Sequence, residues 1–194
     1  MKKPLLTLLL AAWMPLAHAE TEIYNIDKDH SFANFSLRHV VSRASGTFPD
    51  IAGRIAIDRD DLSKSSVQAT INVMSVNTSL AKRDEHLRDK PDYLEAGKFG
   101  QMTFVSTWVE ATGKDGGILY GKFTLHGVTR EISFPFKVLG FGAAPWGGQR
   151  SGFEAHTTLN AADYGFGWAA KPDGPVGTEI EVTLLIEGVK EKAK

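Results

Sequence analysis

The sequence predicts an all-β protein in one domain, with about eight antiparallel strands and one short helix. Apolar and polar residues alternate in segments along the chain, which is typical of strands with one buried face. Nineteen glycines and eight prolines indicate many turns. Only residues 79–88 have the pattern of a helix, with Thr78 or Ser79 as the expected N-cap.

The predicted strands follow one another with turn signals between them, at 31–39, 51–58, 67–73, 103–109, 118–125, 128–141, 152–159 and 178–189. In the first of them, alternation places Ala33, Phe35 and Leu37 on one face. The pair His126-Gly127 separates two runs rich in β-forming residues. Such a pair predicts a tight hairpin turn.

About eight strands in one domain either pack as two sheets or close into a barrel. A closed eight-stranded barrel has an interior that its side chains fill, or one that holds a single small ligand. A barrel of the outer-membrane type would need a lipid-facing apolar band on every strand. Gln68, Thr70 and Glu181 interrupt such a band, which argues against this alternative.

The composition excludes several classes of function. The chain has 194 residues and a formal net charge of −1, so it lacks the basic field with which proteins gather nucleic acid. It contains no cysteine, which removes disulfides, iron–sulfur clusters, thiolate zinc sites and thiol nucleophiles. With 42% hydrophobic and 23% charged residues, it is typical of a globular protein rather than a disordered one.

Residues 1–19 have the pattern of a secretory signal peptide. Two lysines at positions 2 and 3 precede the apolar run 5–16, which is too short to span a bilayer. The tripeptide Ala-His-Ala that ends at Ala19 matches a signal-peptidase site. We therefore expect cleavage after Ala19, a mature domain over 20–194, and export. A chain exported without disulfides fits a bacterial periplasm.

The sequence lacks the local motifs of catalysis and metal binding. It has no G-x-S-x-G elbow, no phosphate-binding glycine loop, and no H-x-H or H-E-x-x-H pair. His126 is explained by its place in the hairpin turn. His39 shares a strand face with Phe35 and Leu37, so it points into the core or into a lumen. We expect no enzyme activity, no cofactor and no metal site.

Two sets of residues are candidates for ligand binding. Arg83, His86 and Arg88 on the predicted helix could hold a polar or anionic head group, or they could belong to a solvated helix with its own ion pairs. The second set is aromatic and either fills a core or lines a long apolar pocket, two cases that composition does not separate. Its members are Phe35, Phe48, Phe99, Phe104, Phe123, Tyr164, Phe166 and Trp168.

A series of motifs, spread over essentially the whole mature chain, resembles the YceI family in content and order. They are Tyr24-Asn25-Ile26-Asp27, His30-Ser31, Gly46-Thr47-Phe48, Ser75-Val76-Asn77-Thr78, 83–88 (RDEHLR), 103–107 (TFVST), 121–129 (GKFTLHGVT), 152–155 (GFEA), 163–165 (DYG) and 182–189. The blocks at 83–88 and 121–129 are the most specific, because both are long and occur in register.

This resemblance implies an eight-stranded antiparallel, lipocalin-like barrel in the periplasm, with one short helix that caps it. It also implies an apolar lumen that carries one polyisoprenoid or quinone-like lipid, with no catalysis. The ligand-binding residues implied are Phe35, His39, Phe48, Arg83, His86, Leu87, Phe99, Phe104, Phe123, Phe166 and Trp168.

Several alternatives stay open at this point. The ligand could be another long-chain amphiphile. The protein could be an enzyme that acts on an isoprenoid or quinone, with His39, His86 or Asp84 as acid or base. It could exchange a quinone with a respiratory membrane protein. The resemblance fits a monomer and a homodimer equally.

Overall fold

Alternating apolar and polar residues form strands over most of the chain, as a computed structural model of residues 21–171 and 173–192 shows. The predicted signal peptide lies outside these described residues. The strands are β1 (Glu22–Ile26), β2 (Phe32–His39), β3 (Ser42–Phe48), β4 (Ile51–Ile57), β5 (Ser66–Asn72), β6 (Gln101–Gly113), β7 (Gly116–Leu125), β8 (Val128–Ala143), β9 (Gln149–Asn160) and β10 (Val176–Lys190).

One α-helix, α1 (Ala81–Asp89), lies between β5 and β6. Short 3-10 helices occupy several of the connections between strands. They are Lys28–His30, Leu62–Lys64, Val73–Ser75, Ala161–Tyr164 and Gly167–Ala170. None of the helices in the described part of the chain has the length and apolarity needed to cross a membrane.

The ten strand segments close into an antiparallel barrel of eight strands. The sheet order is β1-β4-β5-β6-β7-β8-β9-β10-β2-β3, and β1 also pairs with β10. Segments β1 and β2 are two parts of one interrupted strand, since both pair with β10. Segments β3 and β4 pair with β2 and β1, respectively, and form a second interrupted strand. The predicted eight-stranded antiparallel barrel with one helix is confirmed.

The turn between β7 and β8 has the conformation that the sequence predicts. His126 and Gly127 both have positive φ, 52° and 74°, as a two-residue type I′ hairpin requires. The predicted helix cap is wrong. Helix α1 begins at Ala81 after Leu80, and no side chain caps its first turn.

A buried hydroxyl helps to hold the break between β1 and β2. Ser31 is fully buried, and its Oγ donates to the carbonyl of Glu187 (3.2 Å) and accepts from the amide of Glu187 (3.0 Å). Glu187 lies in β10 between Leu185, which pairs with β2, and Gly188, which pairs with β1. The amide of Asp27 also donates to the Glu187 carbonyl, at 2.8 Å. The hydroxyl and this backbone hydrogen bond together replace the strand pairing that the break interrupts.

We expect Ser31→Ala to lower the free energy of unfolding by about 1–3 kcal/mol, because it leaves the partly buried amide of Glu187 without an acceptor. Urea denaturation measures this loss. Ser133→Ala is the control, since Ser133 is exposed on β8 and its hydroxyl makes no hydrogen bond with the described residues. Equal stability of the two variants would show that the Ser31 hydroxyl does not hold the break.

Candidate ligand-binding cavity

The barrel encloses a cavity of about 460 Å³, a volume that lies within the range of small-molecule pockets. Its walls are the inward faces of the strands, because alternate side chains of a strand point to the same side. In β10, Val182 lies opposite Phe35 of β2, and Leu184 lies opposite Ala33. All four of these side chains line the cavity. The lining is predominantly apolar.

Two glycines make room for aromatic rings on the wall. The ring of Phe104 lies over Gly121, where an added Cβ would come within 2.5 Å of it. The ring of Phe35 lies over Gly46, where an added Cβ would come within 2.6 Å. Phe35 also packs against Phe48, with ring centroids 5.5 Å apart. The small residues therefore determine how far the aromatic side chains project into the cavity.

Exposed polar side chains mark the mouth of the cavity. Arg38, His39 and Ser45 come from the β2–β3 hairpin, and Arg83 and His86 come from α1. All five line the cavity and are exposed to solvent. All five can donate hydrogen bonds to a polar or anionic group, and the arginines and histidines can also carry positive charge.

The mouth opens where the sheet is incomplete. Strand β3 pairs with β2 along one edge. Its other edge has no neighbouring strand among the described residues and makes one isolated β-bridge, between Thr47 and Asn77. Helix α1 follows this bridge in the chain and contributes Leu87 to the cavity wall. The helix and its flanking segments thus cover part of an end that strands leave open, as the predicted capping helix would.

Helix α1 is tied to the preceding segment by a buried carboxylate. Asp84 is buried, and its Oδ1 accepts hydrogen bonds from the amide (2.8 Å) and the hydroxyl of Thr78. The Arg83 guanidinium donates to the hydroxyl (2.8 Å) and the carbonyl (2.7 Å) of the same threonine. Arg83 therefore has a structural role at the mouth, which the sequence did not predict.

The basic side chains of α1 are not engaged by carboxylates. Within the described chain, Lys82, Arg83, His86 and Arg88 form no ion pair. Of the two sequence-based interpretations of this helix, a surface with its own ion pairs therefore does not fit. The guanidinium of Arg83 and the imidazole of His86 both lie at the mouth without a carboxylate partner among the described residues.

The structure brings most of the predicted binding residues together. Those that line the cavity are Phe35, His39, Phe48, Arg83, His86, Leu87, Phe104, Phe123, Phe166 and Trp168. Their contact with a ligand remains a prediction. Sequence reasoning missed Tyr93 and Leu94, which follow α1 and also line the cavity. It also missed the aliphatic residues of β10 as site residues, although their alternation was visible.

Phe99 corrects the predicted set, because it does not line the cavity. Its ring packs edge-on against His126, with centroids 4.4 Å apart, and lies within 2.5 Å of where a Cβ on Gly127 would stand. The amide of Phe99 donates to the carbonyl of Glu95 in a tight turn. This turn directs Phe99 onto the β7–β8 hairpin rather than into the barrel.

One cluster of potential metal ligands lies outside the cavity. Asp27, His30 and Glu187 place one ligand atom each within 4.8 Å of one another. His30 already bonds Asp27 through Nδ1 at 2.9 Å, and Arg150 lies 3.1 Å from the Glu187 carboxylate. The Asp27 hydrogen bond raises the pKa of His30, and the His30 hydrogen bond lowers the pKa of Asp27. The cluster is therefore an ion-pair group that joins β10 to the β1–β2 break.

Comparison with known proteins identifies the family. Residues 24–188 match the YceI-like domain. The chain belongs to the YceI-like family. It is 40% identical over 197 residues to Protein YceI of Escherichia coli, with 99% of this chain and 100% of that protein covered. It is 38% identical over 194 residues to a UPF0312 protein of Ectopseudomonas mendocina, with 98% and 100% covered.

Solved structures share the fold. BcnA of Burkholderia cenocepacia is 20% identical and superposes with a TM-score of 0.75 over 84% of this chain and 98% of that one. A polyisoprenoid binding domain from Saccharophagus degradans, implicated in plant cell wall breakdown, is 20% identical with a TM-score of 0.65, over 87% and 98%. The family match agrees with the prediction of a binding protein rather than an enzyme.

Removing the Asp84 carboxylate should loosen the cap of the YceI-like barrel. We expect Asp84→Ala to lower the free energy of unfolding by about 2 kcal/mol, because the buried amide and hydroxyl of Thr78 lose their charged acceptor. Asp89→Ala is the control, since Asp89 is exposed in the last turn of α1. Urea denaturation of both variants measures the difference, and equal midpoints would contradict a structural role for Asp84.

Proposed function

We propose that this YceI-like protein is a periplasmic carrier that holds one polyisoprenoid or quinone-like chain in its barrel cavity. The observation that carries the proposal is the apolar wall that runs through the barrel to a mouth with basic side chains. The family match and the polyisoprenoid binding domain among the similar structures support it.

Binding depends on the transfer of an apolar tail from water into the cavity. Each buried CH₂ group contributes about 0.8 kcal/mol, so a long isoprenoid chain binds without polar recognition along its length. Side chains such as Phe104 and Val182 supply contact area but no hydrogen bonds. The wall therefore selects a ligand by shape and apolarity.

The head group is recognised at the mouth. The guanidinium of Arg38 and the imidazoles of His39 and His86 surround the opening. Guanidinium groups form strong, charge-assisted hydrogen bonds with phosphate and carboxylate oxygens, and neutral imidazoles bond carbonyl or hydroxyl groups. This set accepts a phosphate, a hydroxyl or a quinone oxygen next to an apolar tail.

The location is part of the proposal. The signal-peptide pattern at 1–19 supports export of the chain to the periplasm. There, a lipid with a long isoprenoid tail has negligible solubility in water between the membranes. A carrier that shields the tail would keep such a lipid in solution, which is the role proposed for this barrel.

A charge on the wall tests the proposal. We expect Phe104→Asp to weaken binding of a fluorescently labelled polyprenyl alcohol by about tenfold or more, because a carboxylate in the apolar wall is poorly solvated and repels the tail. The matched control is Val105→Asp, since Val105 is the next residue of β6 and points outward, 45% exposed. We expect this control to bind like the wild type.

Binding is measured by fluorescence titration, and circular dichroism checks that both variants are folded. Equal affinity of a folded Phe104→Asp protein and the wild type would contradict the cavity as the binding site. The wild type would also be titrated with a polyprenyl phosphate, a quinone and a fatty amide. If it bound only the fatty amide, the ligand would be another long-chain amphiphile and not an isoprenoid.

A further inference from the structure

The tip of the β2–β3 hairpin exposes two apolar side chains to solvent. Val41 is 98% exposed, more than any other large hydrophobic residue among those described, and its neighbour Val40 is 54% exposed. His39 and Ser42 pair on either side, so the two valines are the whole connection between the strands. Hairpin tips usually carry glycine or polar residues such as asparagine and aspartate, not valine.

The backbone at the tip is also unfavourable for valine. Val40 has a φ of 53°, a region that favours glycine, asparagine or aspartate and is exceptional for a β-branched residue. A two-residue hairpin with Gly at its first position would avoid this strain. The same two residues therefore combine backbone strain with exposed apolar surface, and strained residues are concentrated at functional sites.

Two arginines flank the valines. Arg38 and Arg43 lie directly opposite each other on β2 and β3, although like charges in this position repel. The Arg43 guanidinium pairs with Glu181 at 2.6 Å. The Arg38 guanidinium instead donates to the carbonyl of Gly174 at 2.9 Å and forms no ion pair with the described residues. Positive charge is thus left beside the apolar tip.

The tip stands at the mouth of the cavity. Arg38, His39 and Val176 all line the cavity, and the amide of Val40 donates to the carbonyl of Pro175. The last pair between β9 and β10 joins Asn160 to Glu179, so the hairpin tip lies beyond the end of β9 and pairs only with the beginning of β10. Whatever contacts the tip is therefore next to the entrance.

We propose that this tip, Arg38 to Arg43, docks the protein on the surface of an anionic phospholipid bilayer. Valine side chains at the apex fit the boundary of the acyl chains, while arginines a residue or two behind fit the level of the lipid phosphates. Docking would place the cavity mouth against the membrane from which the tail is taken. This inference rests on the proposed carrier function.

The arrangement of the two valines at the apex and the arginines behind them favours a bilayer over a protein partner. The apolar surface is confined to two adjacent residues at a protruding apex, which is small for a stable protein interface but sufficient for insertion into a lipid surface. Next to the apex, the Arg43 charge is balanced by Glu181, while the Arg38 guanidinium contacts a backbone carbonyl and keeps its net positive charge. A smooth anionic surface complements this arrangement.

Flotation with vesicles of phosphatidylethanolamine and phosphatidylglycerol tests docking. We expect the wild type to float with the vesicles and the double variant Val40→Gly/Val41→Ser to lose at least about fivefold in vesicle affinity. Because glycine accepts the positive φ, this variant should be at least as stable as the wild type, and thermal denaturation checks that it is. Val105→Ser removes an exposed valine from the outer wall and should float like the wild type.

The arginines are tested in the same assay. We expect Arg38→Gln/Arg43→Gln to bind anionic vesicles several-fold more weakly and to lose most of the salt dependence of binding. The matched control is Arg54→Gln/Arg130→Gln. Arg54 pairs with Glu191 and Arg130 bonds the carbonyl of Asp163, so their contacts resemble those of the tip arginines. The control should retain the salt dependence.

Titration with the labelled polyprenyl alcohol in the absence of vesicles separates the two proposals. Docking is supported if the Val40→Gly/Val41→Ser variant binds the alcohol like the wild type but floats less and takes up the alcohol more slowly from vesicles. Docking is overturned if the wild type binds the alcohol but does not float, or if Val40→Gly/Val41→Ser floats as well as the Val105→Ser control. It is also overturned if the tip binds a copurifying protein and no vesicle. Flotation without binding of the alcohol would contradict the carrier function alone.

Discussion

Strand β10 holds the barrel closed, because it is the strand at which the first and last parts of the chain meet. One edge pairs with β9 along eleven residues, and the other pairs first with β2 and then with β1. The break between β1 and β2 is bridged by the Ser31 hydroxyl on Glu187. Closure on this strand places Ile180, Val182 and Leu184 inside, where they form a continuous part of the cavity wall.

The cavity and its mouth follow from the same constraint. A closed ring of eight strands leaves an interior just wide enough for one ligand when small residues alternate with large ones. Gly46 and Gly121 accept the rings of Phe35 and Phe104, so the aromatic side chains lie along the wall. One edge of β3 has no neighbouring strand in the described part of the chain, and α1 with its flanking segments covers this part of the barrel end. The polar mouth lies there.

Much of the fold could be predicted because it depends on local alternation. The inward faces of β2 and β10 and the turn at His126-Gly127 follow from residue type and spacing, and the structure has them. Strand β3 was not predicted, since its sequence SRASGTF has few apolar residues and one of its edges lies at the mouth. Family resemblance, rather than periodicity, separated a ligand-bearing lumen from a filled core.

Other features depend on contacts that no local pattern contains. The expected cap of α1 at Thr78 or Ser79 fails because Thr78 instead donates to Asp84, six residues further along the chain. Phe99 was placed with the lining by its aromatic character, yet a turn at Glu95 directs it onto His126. The composition of the mouth, from β2, β3 and α1, likewise appears only when the chain is folded.

The central claim is that the cavity holds an isoprenoid chain, and mass spectrometry of the native protein tests it most directly. The protein would be purified from a periplasmic fraction without detergent, and its organic extract analysed. The account predicts one isoprenoid lipid or quinone, present in an amount close to that of the protein and absent from extracts of Phe104→Asp. An extract free of lipid, from a protein that also takes up no added polyprenyl lipid, would contradict the account.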